Sequence, residues 1–222
     1  MKKFFLVYNI IFALLILIFD FIYMNVGGLF LKGFTSSLFV LLGLGNLIYA
    51  IKTKNDVKFP IIMTIALIFA MIGDIVLNIH FISGALIFAI GHIFYFISYI
   101  RFIPIKKTDL IVSLIIFLIS ASVIIFVPLF EFEGIMQYIC LFYALIISLM
   151  LGKAISNLIN EPKKIYLIIA IGSFLFFFSD LMLLFHVFSN VSKVFDDLCL
   201  ITYYPAQAIL ASTIYLNIRL ND

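Results

Sequence analysis

Two aspartates inside long apolar segments are the residues best suited to chemistry. Asp74 lies in segment 73–83 and Asp180 in segment 179–189, and the two segments share Asp, Leu, His and Ser at equivalent positions. A carboxylate that faced lipid at this depth would cost about 2.5 kcal/mol or more, so both are expected to face a bundle interior or a wet cavity. Because ionisable residues inside membranes usually mark function, we interpret Asp74 and Asp180 as a functional pair and not as structural residues that bond to neighbouring Ser, Tyr or Asn.

Other polar side chains recur at helical spacing in neighbouring segments. They form the expected substrate pocket: Asn78, His92, Tyr95, Tyr203, Tyr204 and Gln207. His92 and Tyr95 share one helix face, as do Tyr203 and Gln207. The simpler interpretation is a buried histidine bonded to a carbonyl and tyrosines that pack with satisfied hydroxyls. Since the sequence has neither an HExxH motif nor a His-x-His pair, no metal ion or other cofactor is expected.

The composition defines the environment of these residues. Of 222 residues, 66% are hydrophobic and 11% charged, whereas soluble domains have about 45 to 50% and about 25%. A soluble globule and a disordered chain are thereby excluded. The two cysteines exclude a disulfide scaffold, and a scattered net charge of +3 gives no reason to expect a nucleic-acid partner. The composition indicates an integral membrane protein.

Eight apolar runs have the length needed to cross a bilayer core about 30 Å thick. They cover residues 4–24, 34–51, 59–80, 82–102, 109–129, 134–152, 165–188 and 198–216. Continuous hydrophobicity indicates helices, since barrel strands alternate. We therefore predict an all-α polytopic helix bundle that forms one membrane domain over 1–222. The matched aspartate segments suggest two parallel four-helix repeats, with halves 1–108 and 109–222.

The basic residues predict how the bundle is oriented. All of the 14 basic residues except Lys32 and Lys193 fall at the N-terminus, the C-terminus or the even-numbered connections, and Lys153 is counted with the sixth connection. Lys and Arg are retained on the cytoplasmic side, so both termini are predicted to be cytoplasmic, in an inner or plasma membrane. Asp20, near the outward end of the first span, is expected to reach the interface. His80 and His186 are expected at solvated helix ends.

Four stretches in their proper order resemble a known family. Gly73-Asp74, the stretch 84–95, Ser179-Asp180 and the stretch 203–207 resemble the signatures of the YhhN-like lysoplasmalogenase family, and the likeness spans nearly the whole chain. Pro205 departs from the family pattern, which usually has a small residue other than proline there, and the stretch after Asp180 is more apolar than usual.

The resemblance implies hydrolysis of the vinyl ether bond of lysoplasmalogens, which yields a fatty aldehyde and glycerophosphoethanolamine or glycerophosphocholine. Asp74 and Asp180 match the family's paired acidic residues, and His92, Tyr95, Tyr204 and Gln207 match pocket positions. The implied partner is a lipid substrate within the bilayer, and the implied chemistry is independent of metal.

Paired buried carboxyl groups suit this reaction. A vinyl ether resists bases but is cleaved after a proton is added to its β-carbon. An ordinary aspartic acid, with a pKa of about 3.9, is ionised at neutral pH. Burial and a second carboxylate nearby both favour the protonated form of a carboxyl group. One aspartate can then donate the proton while the other stabilises the cation and accepts a proton from water, as in glycosidases.

Three other interpretations remain open. The main alternative is a small proton-coupled transporter, since repeated halves with acidic residues near the midplane also describe that class. A metal-dependent lipid amidase is the second alternative. A structural bundle without chemistry is the third, but it leaves both deep aspartates unexplained.

Overall fold

The computed structural model describes residues 2–189 and 193–221, and over these residues the chain forms eight helices. They are α1 (Lys2–Val26), α2 (Leu29–Lys52), α3 (Lys58–Leu77), α4 (Phe81–Ile100), α5 (Lys107–Phe126), α6 (Met136–Asn160), α7 (Lys164–Phe188) and α8 (Val194–Asn221). All eight are long and apolar enough to span a membrane. The predicted all-α polytopic bundle is confirmed.

The bounds of α6 differ from the prediction in a way that matters. This helix continues to Asn160 rather than ending at residue 152, so Lys153 lies within the helix and not in a connection. Its side chain is fully buried, and Nζ donates to Asp109 Oδ2 over 2.8 Å and to the Pro104 carbonyl over 3.2 Å. The sequence prediction ended this span just before the charged residue Lys153. The ion pair of Lys153 with Asp109 of α5 allows the helix to continue past it.

Short connections keep successive helices side by side. The turn between α1 and α2 consists of Gly27 and Gly28, whose φ angles of +71° and +96° are conformations that glycine adopts without strain. The connection between α5 and α6, residues 127–135, is longer. It is attached to the end of α7, because Glu131 N donates to the Phe188 carbonyl over 2.8 Å and Phe130 forms an antiparallel bridge with Ser189.

Helices α1 to α4 form one packed group and helices α5 to α8 form a second. The two groups contact each other where α2 meets α8 and where α4 meets α6. α1 packs against α2 and α8, and α3 also touches α8. The second group is more open, because α5 packs against α6 alone and no Cα of α4 comes within 8 Å of α5 or α7 over their described lengths. The outer faces of α1 and α5 present large apolar side chains, as expected for lipid-facing surfaces.

Candidate functional site

Asp180 is the centre of a compact polar cluster on α7. Its Oδ2 accepts a hydrogen bond from the Tyr143 hydroxyl of α6 over 2.6 Å and lies 3.2 Å from His92 Nε2 of α4. The same His92 nitrogen is 2.7 Å from the Tyr143 hydroxyl, and His92 Nδ1 faces Met150 Sδ at 3.3 Å. Three helices therefore hold one carboxyl group, one imidazole and one phenol in mutual contact.

This cluster can hold a proton in more than one place. If Asp180 is protonated, it can donate to the Tyr143 oxygen, while Tyr143 donates to His92 Nε2. If Asp180 is ionised, Tyr143 donates to the carboxylate and His92 Nε2–H donates to either oxygen. Each arrangement pairs every donor with an acceptor. The cluster can therefore release and regain a proton while each of its donors keeps an acceptor, which is a property that an acid–base catalyst needs.

Asp74 lies on α3 in a separate cluster. Its side chain is buried, and its Oδ2 accepts hydrogen bonds from Ser36 Oγ over 2.5 Å and from the Tyr203 hydroxyl over 2.8 Å. Ser36 is also 3.3 Å from the Tyr204 hydroxyl. Tyr203 and Tyr204, both predicted as pocket residues, thus contact Asp74 directly and through Ser36. No described basic side chain forms an ion pair with Asp74, which is held by hydroxyl groups.

The two aspartates are held in the same way by equivalent helices of the two proposed halves. Asp74 is on the third helix and bonds to Ser36 on the second and to Tyr203 on the eighth. Asp180 is on the seventh helix and bonds to Tyr143 on the sixth and to His92 on the fourth. Each aspartate therefore bonds to the preceding helix of its own half and to the last helix of the other half. This pattern fits the two-repeat hypothesis, which stays a prediction.

An aromatic wall separates the two carboxyl groups. Gly73 lets the Phe88 ring approach α3 so closely that a Cβ at this position would overlap the ring. Phe88 packs edge-on against Phe176, and the Phe176 ring lies 5.2 Å from the Tyr203 ring and 4.7 Å from the His92 ring. Asp74 and Asp180 are consequently in different clusters, connected through Tyr203, Phe176 and His92.

Of the two aspartates, Asp180 lines the cavity that the described residues form between α4, α5, α6 and α7. This cavity, of about 80 Å³, is lined by Asp180, Tyr143, Ser120 and apolar residues of α3 to α7, and Asp74 is not part of its lining. The two aspartates, interpreted from the sequence as a pair, are therefore not both in the lining of this cavity. The physical reason is Phe88, which lines the cavity and packs over Gly73 at the level of Asp74.

The other predicted pocket residues lie outside the Asp180 cluster. The Tyr95 hydroxyl donates to Gln207 Oε1 over 2.7 Å, so these two residues form a buried pair between α4 and α8. Gln207 Nε2 is buried and has no hydrogen-bond partner in the part of the chain that the structure describes. Asn78 is exposed at the end of α3, where its amide donates to the Asp74 backbone carbonyl, so it caps the helix rather than lining the cavity.

Asp20 is buried, whereas the two histidines near helix ends are exposed. Asp20 does not reach the interface as expected, because it lies on the same stripe of α1 as buried Asn9 and Ile16 and is only 4% exposed. Its Oδ1 is buried and without a hydrogen-bond partner among the described residues. His80 begins α4 and His186 ends α7, and both are exposed as predicted. The described residues contain no group of three or more His, Cys, Asp or Glu that could hold a metal ion.

Two residues of the clusters were missed by the sequence analysis. Tyr143 is on α6, 37 residues before Asp180, and Ser36 is on α2, 38 residues before Asp74. The internal repeat could have indicated both, since polar residues stand at nearly the same distance before each aspartate. Neither has a charge to distinguish it within an apolar helix, and only the contacts reveal its role.

Comparison with known proteins gives one match. The model of the YhhN family matches residues 28–214, which include both aspartate clusters and the helices that carry them. No curated protein and no solved structure gives a significant match.

Proposed function

The chain belongs to the YhhN family, and from this premise we propose that it is a membrane hydrolase that cleaves the vinyl ether bond of lysoplasmalogen-type single-chain lipids. The products would be a fatty aldehyde and glycerophosphoethanolamine or glycerophosphocholine. The observation that carries the proposal is the contact of Asp180 with Tyr143 and His92 at the edge of an apolar cavity. A protonatable group at such a position meets a lipid chain, rather than a water-soluble substrate.

The reaction needs one proton and one water molecule. The acid protonates the β-carbon of the vinyl ether, and the electron pair of the double bond forms the new C–H bond. The resulting oxocarbenium ion is captured at its α-carbon by water, which loses a proton to the base. In the hemiacetal so formed, the bond between this carbon and the glycerol oxygen breaks, the proton of the hemiacetal hydroxyl is transferred to the glycerol oxygen, and the aldehyde remains. In this proposal, the Asp180 cluster supplies the first proton and recovers one from water.

Tyr143 and His92 support this proton cycle. Tyr143 contacts both the carboxyl group and the imidazole, so it can pass a proton between them while its ring stays in place. His92 is 1% exposed, and its ring packs on Phe176 at 4.7 Å. Such a ring is oriented before the substrate binds, and preorganised polar groups are what lower the barrier for a step that creates charge.

Asp74 supplies the second carboxyl group from behind the aromatic wall. Its Oδ2 is fixed by the hydroxyl groups of Ser36 and Tyr203. A negative charge there would stabilise the oxocarbenium ion, since fields in a site without water are screened little. The two aspartates therefore divide the work: Asp180 exchanges protons, and Asp74 sets the field in which the cation forms.

The test is an assay for free aldehyde with purified protein in detergent. The substrates are a 1-alkenyl lysophospholipid and its 1-alkyl and 1-acyl analogues, which differ at the bond to be cleaved. We expect aldehyde from the alkenyl lipid and no cleavage of the alkyl lipid, with the Asp180→Asn variant inactive. Failure to release aldehyde, or full activity of Asp180→Asn, would overturn the proposal.

The same preparation distinguishes the other candidates. A transporter would move its substrate across a sealed vesicle and leave lipid in detergent unchanged. A metal-dependent amidase would be inhibited by a chelator, which should not affect an acid–base reaction of aspartates.

A further inference from the structure

We propose that a single hydrocarbon chain reaches Asp180 sideways from the bilayer, through a slot bounded by α4, α5 and α7. This slot is the cavity already described. Its lining includes Ala85 of α4, Ser120 and Ile124 of α5, Cys140 and Tyr143 of α6, and Asp180 and Leu181 of α7. The inference rests on the proposed function for the identity of the lipid. The route itself follows from the packing of the helices.

The outward end of the slot is closed by four phenylalanine side chains, which we call the aromatic cap: Phe81, Phe130, Phe132 and Phe188. Phe188 lies 5.4 Å from Phe81 and 4.9 Å from Phe132, and Phe130 lies 5.6 Å from Phe132, measured between ring centroids. The backbone bonds of the 127–135 connection to α7 hold this cap in place. A chain arriving along the axis of the bundle from the outward aqueous side would have to displace these rings.

The sides of the slot have no such closure. α5 contributes Ser120 and Ile124 to the lining, yet no Cα of α5 comes within 8 Å of α4 or α7 over their described lengths. Ala85 and Leu181, on the two facing helices, are partly exposed. On the side of the bundle that contains Asp74, α1 packs against both α2 and α8. The cavity thus lies on the side of the bundle whose outer helix, α5, packs against α6 alone.

The lining indicates what occupies the slot. Apart from Asp180, Tyr143 and Ser120 the lining is apolar, and the Ser120 hydroxyl is bonded to the Ile116 carbonyl of its own helix. The cavity volume of about 80 Å³ is far below the roughly 300 to 1,000 Å³ of sites that enclose a drug-sized ligand. It has room for a short stretch of one chain and none for a headgroup or a second chain. Asp180 lies eight residues before Phe188 on α7, so the stretch it meets is about 12 Å below the cap.

Cys140 provides a probe of the route, because it lines the slot, whereas Cys199 does not. In the full-length Cys199→Ala protein, a long-chain alkyl methanethiosulfonate is added to vesicles, and the mixed disulfide at Cys140 is quantified by mass spectrometry. A small trimethylammonium methanethiosulfonate is used in parallel. The Cys140→Ala protein, which retains only Cys199, gives the background. We expect the alkyl reagent to label Cys140 severalfold faster than the charged reagent.

Neighbouring isoleucines on α5 provide matched variants. Ile124 is buried in the slot, and Ile125 is 50% exposed on the outer face. Ile124→Trp should slow alkyl labelling severalfold, Ile124→Ala should not slow it, and Ile125→Trp should leave it unchanged. Equal labelling by both reagents, or equal rates in the two Trp variants, would overturn the sideways route. Because labelling needs no turnover, loss of aldehyde release alone would contradict the proposed function and not the slot.

Discussion

The hydroxyl of Tyr143 lies 2.6 Å from Asp180 Oδ2 and completes a contact that the sequence motifs did not indicate. Tyr143 is also 2.7 Å from His92 Nε2, so one oxygen joins the acid to the imidazole. Tyr143 and Asp180 line the cavity, and His92 does not. Tyr143 therefore contacts both the carboxyl group and the imidazole and also borders the space that a substrate would enter.

Tyr143→Phe should reduce turnover and leave the fold intact. The substitution removes a hydrogen bond to a carboxyl group, worth about 1.5 to 3 kcal/mol, which corresponds to roughly a 10- to 150-fold loss of kcat if the bond is needed in the transition state. The ring remains to fill its place. Tyr138→Phe is a control on the same helix, since Tyr138 is 71% exposed. Aldehyde release by Tyr143→Phe at the rate of this control would show that the hydroxyl has no catalytic role.

The proposed cooperation of the two aspartates can be measured with a double-mutant cycle. Asp180→Asn should lower kcat by about 100- to 10,000-fold, the usual range for loss of a general acid or base. Asp74→Asn keeps an oxygen for Ser36 and Tyr203 but removes the charge, so it should also lower kcat.

The double variant distinguishes joint from independent action. If both carboxyl groups act on one step, the double variant should have a kcat only slightly below that of the less active single variant, since effects of residues that act as a unit do not add. Losses that multiply would mean that Asp74 acts independently, for example by stabilising the fold. Circular dichroism and elution volume of each variant in detergent monitor folding.

The number and order of the helices could be predicted because hydropathy accumulates over about 20 residues and needs no tertiary contact. The faces of the helices could not. A helix that is apolar all round carries little signal for which side meets protein and which meets lipid. For this reason Asp20 was expected at the interface, although it faces the interior of the bundle.

The same reason explains how much of the site was predicted. The identity and depth of Asp74 and Asp180 followed from their being charged at matched positions, and His92 was expected near them. The separation of the two clusters depends on the orientation of Phe88, whose ring fits only because residue 73 is glycine. Such a fit is a property of two particular side chains, and one sequence with 27 phenylalanines does not indicate which of them it involves.

The buried ion pair of Lys153 and Asp109 should stabilise the packing of α5 on α6. Lys153→Met would leave the Asp109 carboxylate buried without its cation, which typically destabilises a protein by 3 to 5 kcal/mol. We expect about 3 kcal/mol, at the low end of the range, because Asp109 keeps the hydrogen bond from the Lys106 backbone amide. Thermal unfolding in detergent measures the change.

A second substitution tests the cause. Adding Asp109→Leu to Lys153→Met should restore much of the lost stability, since no buried charge then remains unpaired. Lys163→Met is the control, because the Lys163–Glu161 pair is exposed and should contribute little. An unchanged melting temperature for Lys153→Met would contradict the assigned role of the pair.

The orientation of the bundle is the last prediction, and cysteine labelling can test it. Eight crossings place both termini on one side, and the distribution of basic residues predicts that this side is the cytoplasm. In a protein with Cys140 and Cys199 replaced by alanine, Asn55→Cys lies in the α2–α3 connection and Glu133→Cys in the α5–α6 connection, both exposed. A membrane-impermeant maleimide added to intact cells or spheroplasts should label the cysteine at 133 and should reach the one at 55 only after lysis. The reverse pattern would place the aromatic cap on the cytoplasmic side, and the lipid headgroup would then have to bind at the inner leaflet.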